Sequence, residues 1–238
     1  MIKGIFFDAA GVLYRRASPS ADFALDLLRK SGFSVEVPSE DLTHLLALHA
    51  QASQGLVKHE AYWDQFLMMH GVADPYLRQT FITRIIDYSN AVLPVPGARE
   101  ALQGLKQRSY LLGIITDTMY PLEWKRRRLE KVGVAEYIDV IACSTVIGVH
   151  KPDPGMYLNA LQQAHLSPDE SAFVGHLAIE LRGAQDAGMV TVAVPSWNRD
   201  YHVSFDPDAV ADYYCNSILN LLNVPIFNGI PSEANGGA

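Results

Sequence analysis

The sequence predicts an α/β protein built on a doubly wound parallel sheet with an inserted α-helical segment, and two patterns lead to this class. From residue 98 onward, short apolar runs rich in β-branched residues alternate with helical stretches. Residues 20–89 show helical periodicity without a convincing strand. Repeated βα units require right-handed crossovers, so their strands lie parallel with helices on both faces. The 238 residues, 49% of them hydrophobic, suffice for one full core and one smaller domain.

Five strands are predicted, each from a run of apolar residues. The first ends just before Asp8, and Gly11 then permits a turn. Pro94, Pro96 and Gly97 interrupt the helical pattern before the βα units begin. The later strands are predicted at residues 111–116, 137–143, 172–175 and 191–194. Open sheets of this kind bind ligands at the carboxyl ends of their strands, so the residues that follow the strands are the candidates for function.

The charge of the chain argues against several classes of partner. A net charge of -7 disfavours a nucleic acid or an anionic membrane, because both need a basic surface. The local exception is the basic run KRRR at residues 125–128. We interpret it as the solvated face of a helix, with attraction of an anionic substrate as the alternative. We expect a small-molecule substrate, no nucleic-acid or membrane partner, and a monomer or homodimer.

Cysteine usage and the terminal segments predict a cytoplasmic protein. Cys143 and Cys215 lie in apolar contexts, which is typical of buried, reduced thiols. No run reaches the roughly 18 to 20 apolar residues that span a bilayer, and the N-terminus lacks the pattern of a secretory leader. Residues 226–238 end in a stretch rich in Gly, Ser and Asn and are predicted to be a flexible tail.

Polar side chains follow the predicted strands and form the candidate site. Asp8 follows the first strand, where a carboxylate can serve as a nucleophile. Thr116 and Asp117 end the second strand with a hydroxyl and free backbone N–H groups, which can hold one oxygen of a tetrahedral oxyanion. Lys151 precedes a rigid proline turn that opens a helix, and its charge can neutralise both the nucleophile and a substrate anion.

A fourth strand end adds potential metal-binding or polar groups. His176 follows the apolar run there, and Glu180 lies a few residues later. Taken singly, Asp8 can brace a turn, Thr116 can satisfy a strand end and Lys151 can be a surface residue. Their order favours a site, because each of them ends an apolar strand of the same predicted sheet.

Four motifs in this order resemble those of the haloacid dehalogenase superfamily. The motifs lie at residues 7–13, 115–117, 151–154 and 174–184, with the sequences FDAAGVL, ITD, KPDP and VGHLAIELRGA. The resemblance extends over residues 2–222. It implies a Rossmann-like core formed by residues 1–15 and 93–225, with a helical cap at residues 16–92.

The resemblance also implies a reaction and roles for individual residues. In this superfamily the first aspartate attacks phosphorus or carbon to form an ester, which water then hydrolyses. Asp8 would be the nucleophile, Thr116 the oxyanion binder and Lys151 the group that neutralises charge. The residues that would contact the substrate or its oxyanion are Ala10, Gly11, Asp117, Lys58 and His176. Those that would hold Mg²⁺ are Asp8, Ala10 through its backbone carbonyl, and Glu180.

Ala10 is the first departure from the pattern of the superfamily. Its phosphatases usually carry a second aspartate here as general acid and base, and the loss of such a group typically costs about 10²- to 10⁴-fold in rate. Its phosphonate hydrolases have alanine here and use a lysine of the cap, while its dehalogenases often have an aromatic residue. Ala10 therefore leaves phosphate, phosphonate and carbon chemistry open.

His176 is the second departure. An aspartate normally ligates the metal at this position, and Leu177 follows where a polar residue is common. Mg²⁺ prefers oxygen donors, so the metal site is expected to be weak or absent. The role of His176 stays open between a hydrogen-bonded crevice residue, a general base and a metal ligand.

The helical segment offers its own candidates for substrate binding. Residues 55–63 resemble a helix start common in small helical caps of the superfamily. Lys58 and His59 would face the core, with a solvated helix start as the alternative. Tyr62 and Trp63 are expected to be cap core rather than residues that stack on a ligand.

Three functions remain open on the sequence alone. The first is a slow hydrolase of small phosphorylated metabolites that uses an aspartate nucleophile. The second is metal-independent attack at carbon, by a dehalogenase or by a phosphonatase, and the latter needs a desolvated cap lysine such as Lys58. The third is a catalytically degenerate binding protein, which Ala10, His176 and Leu177 together favour. The fold alone does not choose among them.

Overall fold

A six-stranded parallel sheet forms the centre of the molecule. The computed structural model describes residues 1–36, 39–197 and 203–229. The strands are β1 (Gly4–Phe7), β2 (Tyr14–Arg15), β3 (Leu93–Pro94), β4 (Leu111–Thr116), β5 (Val140–Cys143), β6 (Ser171–Gly175), β7 (Val190–Ala193), β8 (Ser196–Trp197), β9 (Val203–Ser204) and β10 (Tyr213–Tyr214). The sheet has the order β10-β7-β6-β1-β4-β5, and its neighbouring strands pair in parallel. The chain winds from β1 through β4 to β5 and returns to the other side with β6, so the predicted doubly wound class is confirmed.

Helices cover both faces of this sheet, as the alternation of the sequence predicts. The helices are α1 (Ser20–Lys30), α2 (Ser39–Ser53), α3 (His59–Met69), α4 (Pro75–Asn90), α5 (Ala98–Gln107), α6 (Leu122–Lys131), α7 (Ser144–Ile147), α8 (Pro154–Ala164) and α9 (Ala178–Asp186). Ile5 and Phe7 pack into an apolar cluster that includes Leu105 of α5, whereas Phe6 packs into the cluster that includes Leu161 of α8. Successive side chains of β1 thus point to opposite faces and are buried on both, which explains the uninterrupted apolar sequence of this strand.

The helices α1 to α4 follow one another and pack on an apolar cluster of their own. Leu28, Trp63, Phe66 and Ile85 are among its buried members. The strands β2 and β3 pair antiparallel at the two points where the chain enters and leaves this helical segment. The segment is therefore attached to the sheet through a short two-stranded ribbon beside the end of β1.

The strand bounds differ from the predicted ones at some ends. β4 coincides with the predicted residues 111–116. β5 begins at Val140 rather than at Tyr137, because Ala135–Tyr137 forms a turn of 3₁₀ helix. β10 extends the edge of the sheet without having been predicted, since two residues are too few to show a periodicity.

Part of the predicted tail belongs to the folded body. Phe227 is fully buried, and its ring lies edge-on to that of Tyr110 with 5.9 Å between centroids. The Arg108 guanidinium donates a hydrogen bond to the Phe227 carbonyl oxygen at 2.7 Å. The prediction of a flexible tail is therefore wrong for residues 226–229, while residues 230–238 lie outside the described part of the chain.

Cys143 and Cys215 are buried free thiols, as predicted. Within the described residues, every helix is too short or too polar to cross a membrane.

Candidate active site

Asp8 lies at the carboxyl edge of the sheet, where the direction of winding changes. Phe7, the last residue of β1, is opposite Ile114 of β4 and Val174 of β6. The Asp8 N–H donates to the Val174 carbonyl oxygen at 3.0 Å, which extends the pairing by one residue. The Asp8 side chain is thus held rigidly, with only 6% of the residue exposed, at the edge where open sheets bind ligands.

Lys151 contacts three carboxylates at this edge. Its ammonium donates to Asp8 Oδ1 at 2.7 Å and lies 2.9 Å from Glu180 Oε1. Its backbone N–H donates to Asp117 Oδ1 at 3.1 Å. One buried cation therefore joins the ends of β1 and β4 to α9.

The turn after Lys151 explains how the lysine is positioned. Asp153 accepts a hydrogen bond from the Gly155 N–H at 2.8 Å and so caps the start of α8. Pro154 occupies the first turn of that helix, where a backbone N–H is not needed. The predicted proline turn that opens a helix is confirmed.

These contacts set the protonation states of Asp8 and Lys151. Burial raises the pKa of the Asp8 carboxyl and is the largest single influence, but Lys151, His176 and Lys125 together outweigh it, so the pKa lies below its ordinary value. Burial lowers the pKa of Lys151 and is the largest single influence, but the carboxylates of Asp8, Glu180 and Asp117 together outweigh it, so that pKa is raised. At neutral pH Asp8 is an anion and Lys151 a cation.

Glu180 has the opposite tendency to Asp8. Burial raises the pKa of its carboxyl to about 7, although the neighbouring Lys151 ammonium opposes this shift. Its Oε2 atom has no hydrogen-bond partner among the described residues. Glu180 can therefore bind or release a proton near neutral pH.

His176 approaches the second oxygen of Asp8. The His176 Nδ1 atom lies 3.7 Å from Asp8 Oδ2 and has no hydrogen-bond partner in the described part of the chain. Burial lowers the pKa of the imidazole, while the charge of Asp8 acts in the other direction. The ring is therefore neutral at pH 7 and can accept a proton.

The turn after Asp8 places Ala10 and Gly11 in the lining of the cavity that Asp8 and His176 also line. Gly11 has a φ of 86°, a left-handed conformation that glycine adopts without strain. A side chain at this position would begin 3.0 Å from Ser196 Oγ and 3.1 Å from the His176 ring. Glycine thus allows this turn to pass close to His176.

Thr116 and Asp117 lie where β4 ends, beside Asp8. Thr116 is buried, and its hydroxyl donates to the Asp117 carbonyl oxygen at 3.5 Å. Burial raises the pKa of the Asp117 carboxyl, against the opposing charge of Lys151. Asp117 lines the cavity at Asp8, whereas Thr116 is not among its lining residues. Of the two, Asp117 is the more accessible to a ligand.

A cavity of about 760 Å³ opens over this cluster. Its lining residues are Asp8, Ala10, Gly11, Tyr14, Arg15, Arg16, Ser18, Pro19, Asp117, His176, Leu177, Glu180, Trp197 and Ser204. Tyr14 and Trp197 are members that no sequence signal singles out. Arg16 belongs to a basic pair that follows the first motif after one residue, and this proximity is the signal by which it could have been found.

Lys58 lies away from this cavity, contrary to the expectation for the helix start at residues 55–63. It is exposed just before α3 and lines neither the cavity at Asp8 nor the neighbouring one. His59 is buried instead, and its ring contacts those of Tyr120 and Trp124. Of the two residues, Lys58 is thus solvent-exposed at the helix start, whereas His59 is not.

The basic run of α6 is exposed only in part, so the prediction of a solvated helix face is wrong for two of its residues. Lys125 and Arg128 are 2% and 3% exposed, while Arg126 and Arg127 are exposed. Positions three apart share one side of a helix. That side of α6 lines a second cavity, of about 290 Å³, next to the one at Asp8.

Comparisons with known proteins agree with this architecture. Residues 5–194 match the family model described as haloacid dehalogenase-like hydrolase. The glyceraldehyde 3-phosphate phosphatase of Methanopyrus kandleri is 27% identical over 238 residues, which cover 94% of this chain and 97% of the relative.

Solved structures share the fold. A HAD phosphatase from Thermococcus onnurineus has a TM-score of 0.66 at 23% identity, covering 96% of this chain and 99% of that one. The L-2-haloacid dehalogenase from Xanthobacter autotrophicus has a TM-score of 0.65 at 15% identity, covering 94% and 98%. The family match runs from β1 to the residue after β7, and the chain belongs to the haloacid dehalogenase-like hydrolase family, as its four motifs predict.

Proposed function

We propose that this protein hydrolyses small phosphate monoesters with Asp8 as the nucleophile. The observation that carries the proposal is the buried Asp8 carboxylate, kept anionic by Lys151 at 2.7 Å and facing a cavity of about 760 Å³. The relative from Methanopyrus kandleri, named for its action on glyceraldehyde 3-phosphate, supports this substrate class.

The surroundings of the two Asp8 oxygens favour one of them as the attacking atom. Oδ1 accepts the hydrogen bond from Lys151, whereas Oδ2 lies 3.7 Å from His176 Nδ1. In the proposal Oδ2 attacks phosphorus, the bond from phosphorus to the ester oxygen breaks, and an acyl phosphate forms on Asp8. Lys151 and the N–H groups that follow β4 offset the charge on the phosphoryl oxygens, and the buried Thr116 supports the strand end that presents those N–H groups.

Proton transfer relies on groups other than Ala10, whose methyl group neither gives nor takes a proton. The leaving alcohol takes its proton from water, which makes the first step slow. In the second step a water molecule attacks phosphorus, and neutral His176 accepts its proton through the unpartnered Nδ1. Inorganic phosphate leaves, and the Asp8 carboxylate is regenerated.

We propose that residues 1–15 and 93–229 form the catalytic core and that residues 16–92 form a cap that selects the substrate. Pro19, at the start of this segment, lines both cavities. Trp63, from its third helix, lines the second one. A segment that lines both cavities can select substrates by their shape and charge.

The donor atoms at the site fit Mg²⁺ poorly. Asp8, His176 and Glu180 each offer one donor atom, and these lie within 4.8 Å of one another. The Lys151 ammonium already contacts both carboxylates, and His176 offers nitrogen where Mg²⁺ prefers oxygen. We propose that the reaction does not depend on Mg²⁺ and that any binding through Asp8, the Ala10 carbonyl and Glu180 is weak.

Removal of divalent metal is therefore expected to leave turnover largely intact. The reason is that Lys151 already neutralises Asp8 and would repel a dication placed beside it. Phosphate release is measured after dialysis against EDTA and again after addition of millimolar Mg²⁺. A loss of release in EDTA that Mg²⁺ restores would contradict the proposal.

Ala10→Asp is expected to raise phosphate release from an alkyl monoester such as glycerol 3-phosphate about tenfold or more, because it supplies the missing general acid for a leaving alkoxide. Ala10→Asn is the matched control, since its amide has a similar size and no acidic proton. A gain in the aspartate variant alone supports the proposed chemistry. An equal gain in both variants, or none in either, would count against it.

A substrate screen tests the proposed function itself. Small phosphate monoesters, a 2-haloacid and phosphonoacetaldehyde are incubated with the wild-type protein and, as a blank for contaminating phosphatases, with Asp8→Asn. Phosphate release from monoesters that the blank lacks supports the proposal. Halide release alone would replace it with attack at carbon, and no release from any compound would replace it with a binding function.

Attack at carbon is the second candidate, and two features of the site favour it. Lys151 bridges Asp8 and Glu180 directly through its ammonium group, and the methyl group at Ala10 suffices when the leaving group is a halide that needs no proton. Lys58 is exposed, so the phosphonatase form of this chemistry loses its candidate lysine. Dehalogenation is the carbon reaction that the site supports better.

We propose a cytoplasmic protein that acts as a monomer or homodimer without nucleic-acid or membrane partners. The buried free thiols of Cys143 and Cys215 are typical of a reducing compartment. The net charge of -7 supports the absence of polyanionic partners.

A further inference from the structure

Two buried cations on α6 lack a carboxylate partner. Among the described residues, no Asp or Glu lies within ion-pair distance of Lys125 or Arg128. The Lys125 ammonium donates to the Tyr14 hydroxyl at 2.7 Å, and Arg128 Nε donates to Asn90 Oδ1 at 3.1 Å. Arg128 Nη2 has no hydrogen-bond partner in the part of the chain that the structure describes. The hydrogen bonds of both cations therefore go to neutral groups, and the nearest carboxylate effect is the longer-range one between Lys125 and Asp8.

Buried charges without counter-ions are energetically unfavourable. Each ion loses the stabilisation that water would give it, and this desolvation is repaid only where opposite charges or well-placed hydrogen bonds replace the water. The face of the Tyr120 ring, 4.8 Å from the Arg128 guanidinium carbon, offsets only part of this loss. An anion that binds between the two cations would complete their contacts.

The position of these cations connects them to the nucleophile. Lys125 and Arg128 line the second cavity, of about 290 Å³. This cavity shares four lining residues with the one at Asp8, namely Ala10, Arg16, Pro19 and Asp117. Arg16 adds a third positive charge at the junction. A molecule attacked by Asp8 can therefore extend into the second cavity.

Tyr62, Trp63 and Tyr120 contribute aromatic walls to the second cavity, beside several small and polar side chains. Tyr62 and Trp63 come from the helical segment, and Trp63 Nε1 donates to the Tyr120 hydroxyl at 3.2 Å. Asp117, at the junction, is the one carboxylate among the described lining residues. Such a cavity suits a short organic group that ends in an anion.

We propose that the second cavity binds a second anionic group of the substrate, a carboxylate or a phosphate, with Lys125 and Arg128 as its ligands. The substrate class is a small phosphate monoester that carries an anion at the end away from the scissile phosphate. The inference rests on the proposed function, because it concerns the far end of the molecule that Asp8 attacks. Lys125 and Arg128 determine specificity, since they contact that end and not the reacting atoms.

Ligand affinities in the Asp8→Asn variant test this proposal without requiring turnover. Calorimetry compares glycerol 3-phosphate with 3-phosphoglycerate, which replaces its hydroxymethyl group by a carboxylate, and with glycerol 1,3-bisphosphate. We expect at least one doubly anionic ligand to bind about tenfold or more tightly than glycerol 3-phosphate. Whichever of 3-phosphoglycerate and glycerol 1,3-bisphosphate binds more tightly shows whether the second cavity prefers a carboxylate or a phosphate. Lys125→Met and Arg128→Met, each added to Asp8→Asn, should remove most of the preference.

Matched variants separate this role from a structural one. Arg126→Met removes the same charge from the exposed side of α6 and should keep the preference, and Lys125→Arg should retain most of it. Because the buried charges are unpaired, Lys125→Met and Arg128→Met should leave the Tm unchanged or raise it. A structural role would lower the Tm without changing the ratio of affinities.

Equal affinity of the parent variant for all three ligands would overturn the inference, as would a preference that survives both methionine substitutions. The first result needs neither methionine variant to fold. Phosphate release by the wild-type protein is measured as a separate test of the proposed function. Hydrolysis of monoesters without an anion preference would refute only this inference, whereas the absence of any hydrolysis would refute the proposed function.

Discussion

Asp8→Asn is expected to lower the rate of phosphate release by about 10⁴-fold or more. The amide has nearly the size of the carboxylate, but it is a poor nucleophile and removes the anion that Lys151 holds at 2.7 Å. The variant should fold, because Lys151 keeps Glu180 as an ion-pair partner at 2.9 Å and the backbone pairing of Asp8 with Val174 does not involve the side chain. Single-turnover kinetics measures the rate, and circular dichroism checks the fold.

Asp186→Asn is the matched control for this variant. Asp186 lies exposed on α9, so the same change of side chain there should leave the rate as it is. A folded Asp8→Asn protein with the wild-type rate would exclude Asp8 as the nucleophile. A loss of similar size in the control would show that the assay responds to charge alone.

Lys151→Met is expected to abolish turnover and to destabilise the fold by about 3–5 kcal/mol, which is the typical cost of breaking a buried ion pair from one side. The substitution leaves Asp8 and Glu180 buried without the cation that lies 2.7 and 2.9 Å from them. Both carboxylates would then favour their protonated forms. Activity falls because Asp8 loses its negative charge and the phosphoryl oxygens lose a neutralising group.

The pH dependence of stability distinguishes the loss of the buried ion pair from a simple packing defect in Lys151→Met. In the wild-type protein Lys151 keeps the pKa of Asp8 lowered against the effect of burial, so this contribution to stability is lost as the pH falls. In Lys151→Met the main opposition to burial is lost, and we expect the pKa of Asp8 and of Glu180 to lie above their unfolded values. The stability deficit of the variant is then largest at neutral pH and shrinks as the pH falls through those raised values.

Urea unfolding at neutral and mildly acidic pH measures this deficit. Lys106→Met is the control, because the ion pair of Lys106 with Asp139, at 2.8 Å, is partly exposed and typically worth about 0–1 kcal/mol. A deficit in Lys151→Met no larger than that of the control would contradict the account. So would a deficit that grows as the pH falls.

The strand ends were predictable from the sequence because their signals are local. An apolar run of β-branched residues defines β4 at Leu111–Thr116 without knowledge of its neighbours. Since parallel strands end at one edge, the residues that follow them converge there, and Asp8 and Lys151 do lie in contact. Glycine at position 11 likewise marks a turn whose φ is positive.

The burial of Lys125 and Arg128 could not be read from the same sequence. A run of four basic residues ordinarily marks a solvated helix face, and the groups that surround these two come from distant parts of the chain. Tyr14, which accepts the hydrogen bond of Lys125, is 111 positions away. The exposure of Lys58 and the packing of Phe227 also depend on tertiary contacts that no local pattern encodes.

Chemical trapping of the intermediate tests most directly whether Asp8 attacks phosphorus. The wild-type protein is mixed with a phosphate monoester that it hydrolyses, quenched in acid during turnover and treated with borohydride, which reduces an acyl phosphate to an alcohol. Peptide mass spectrometry then locates the change. The account predicts homoserine in place of Asp8, only in samples that contained substrate. Phosphate release with Asp8 unmodified, or reduction at another carboxylate such as Glu180, would contradict it.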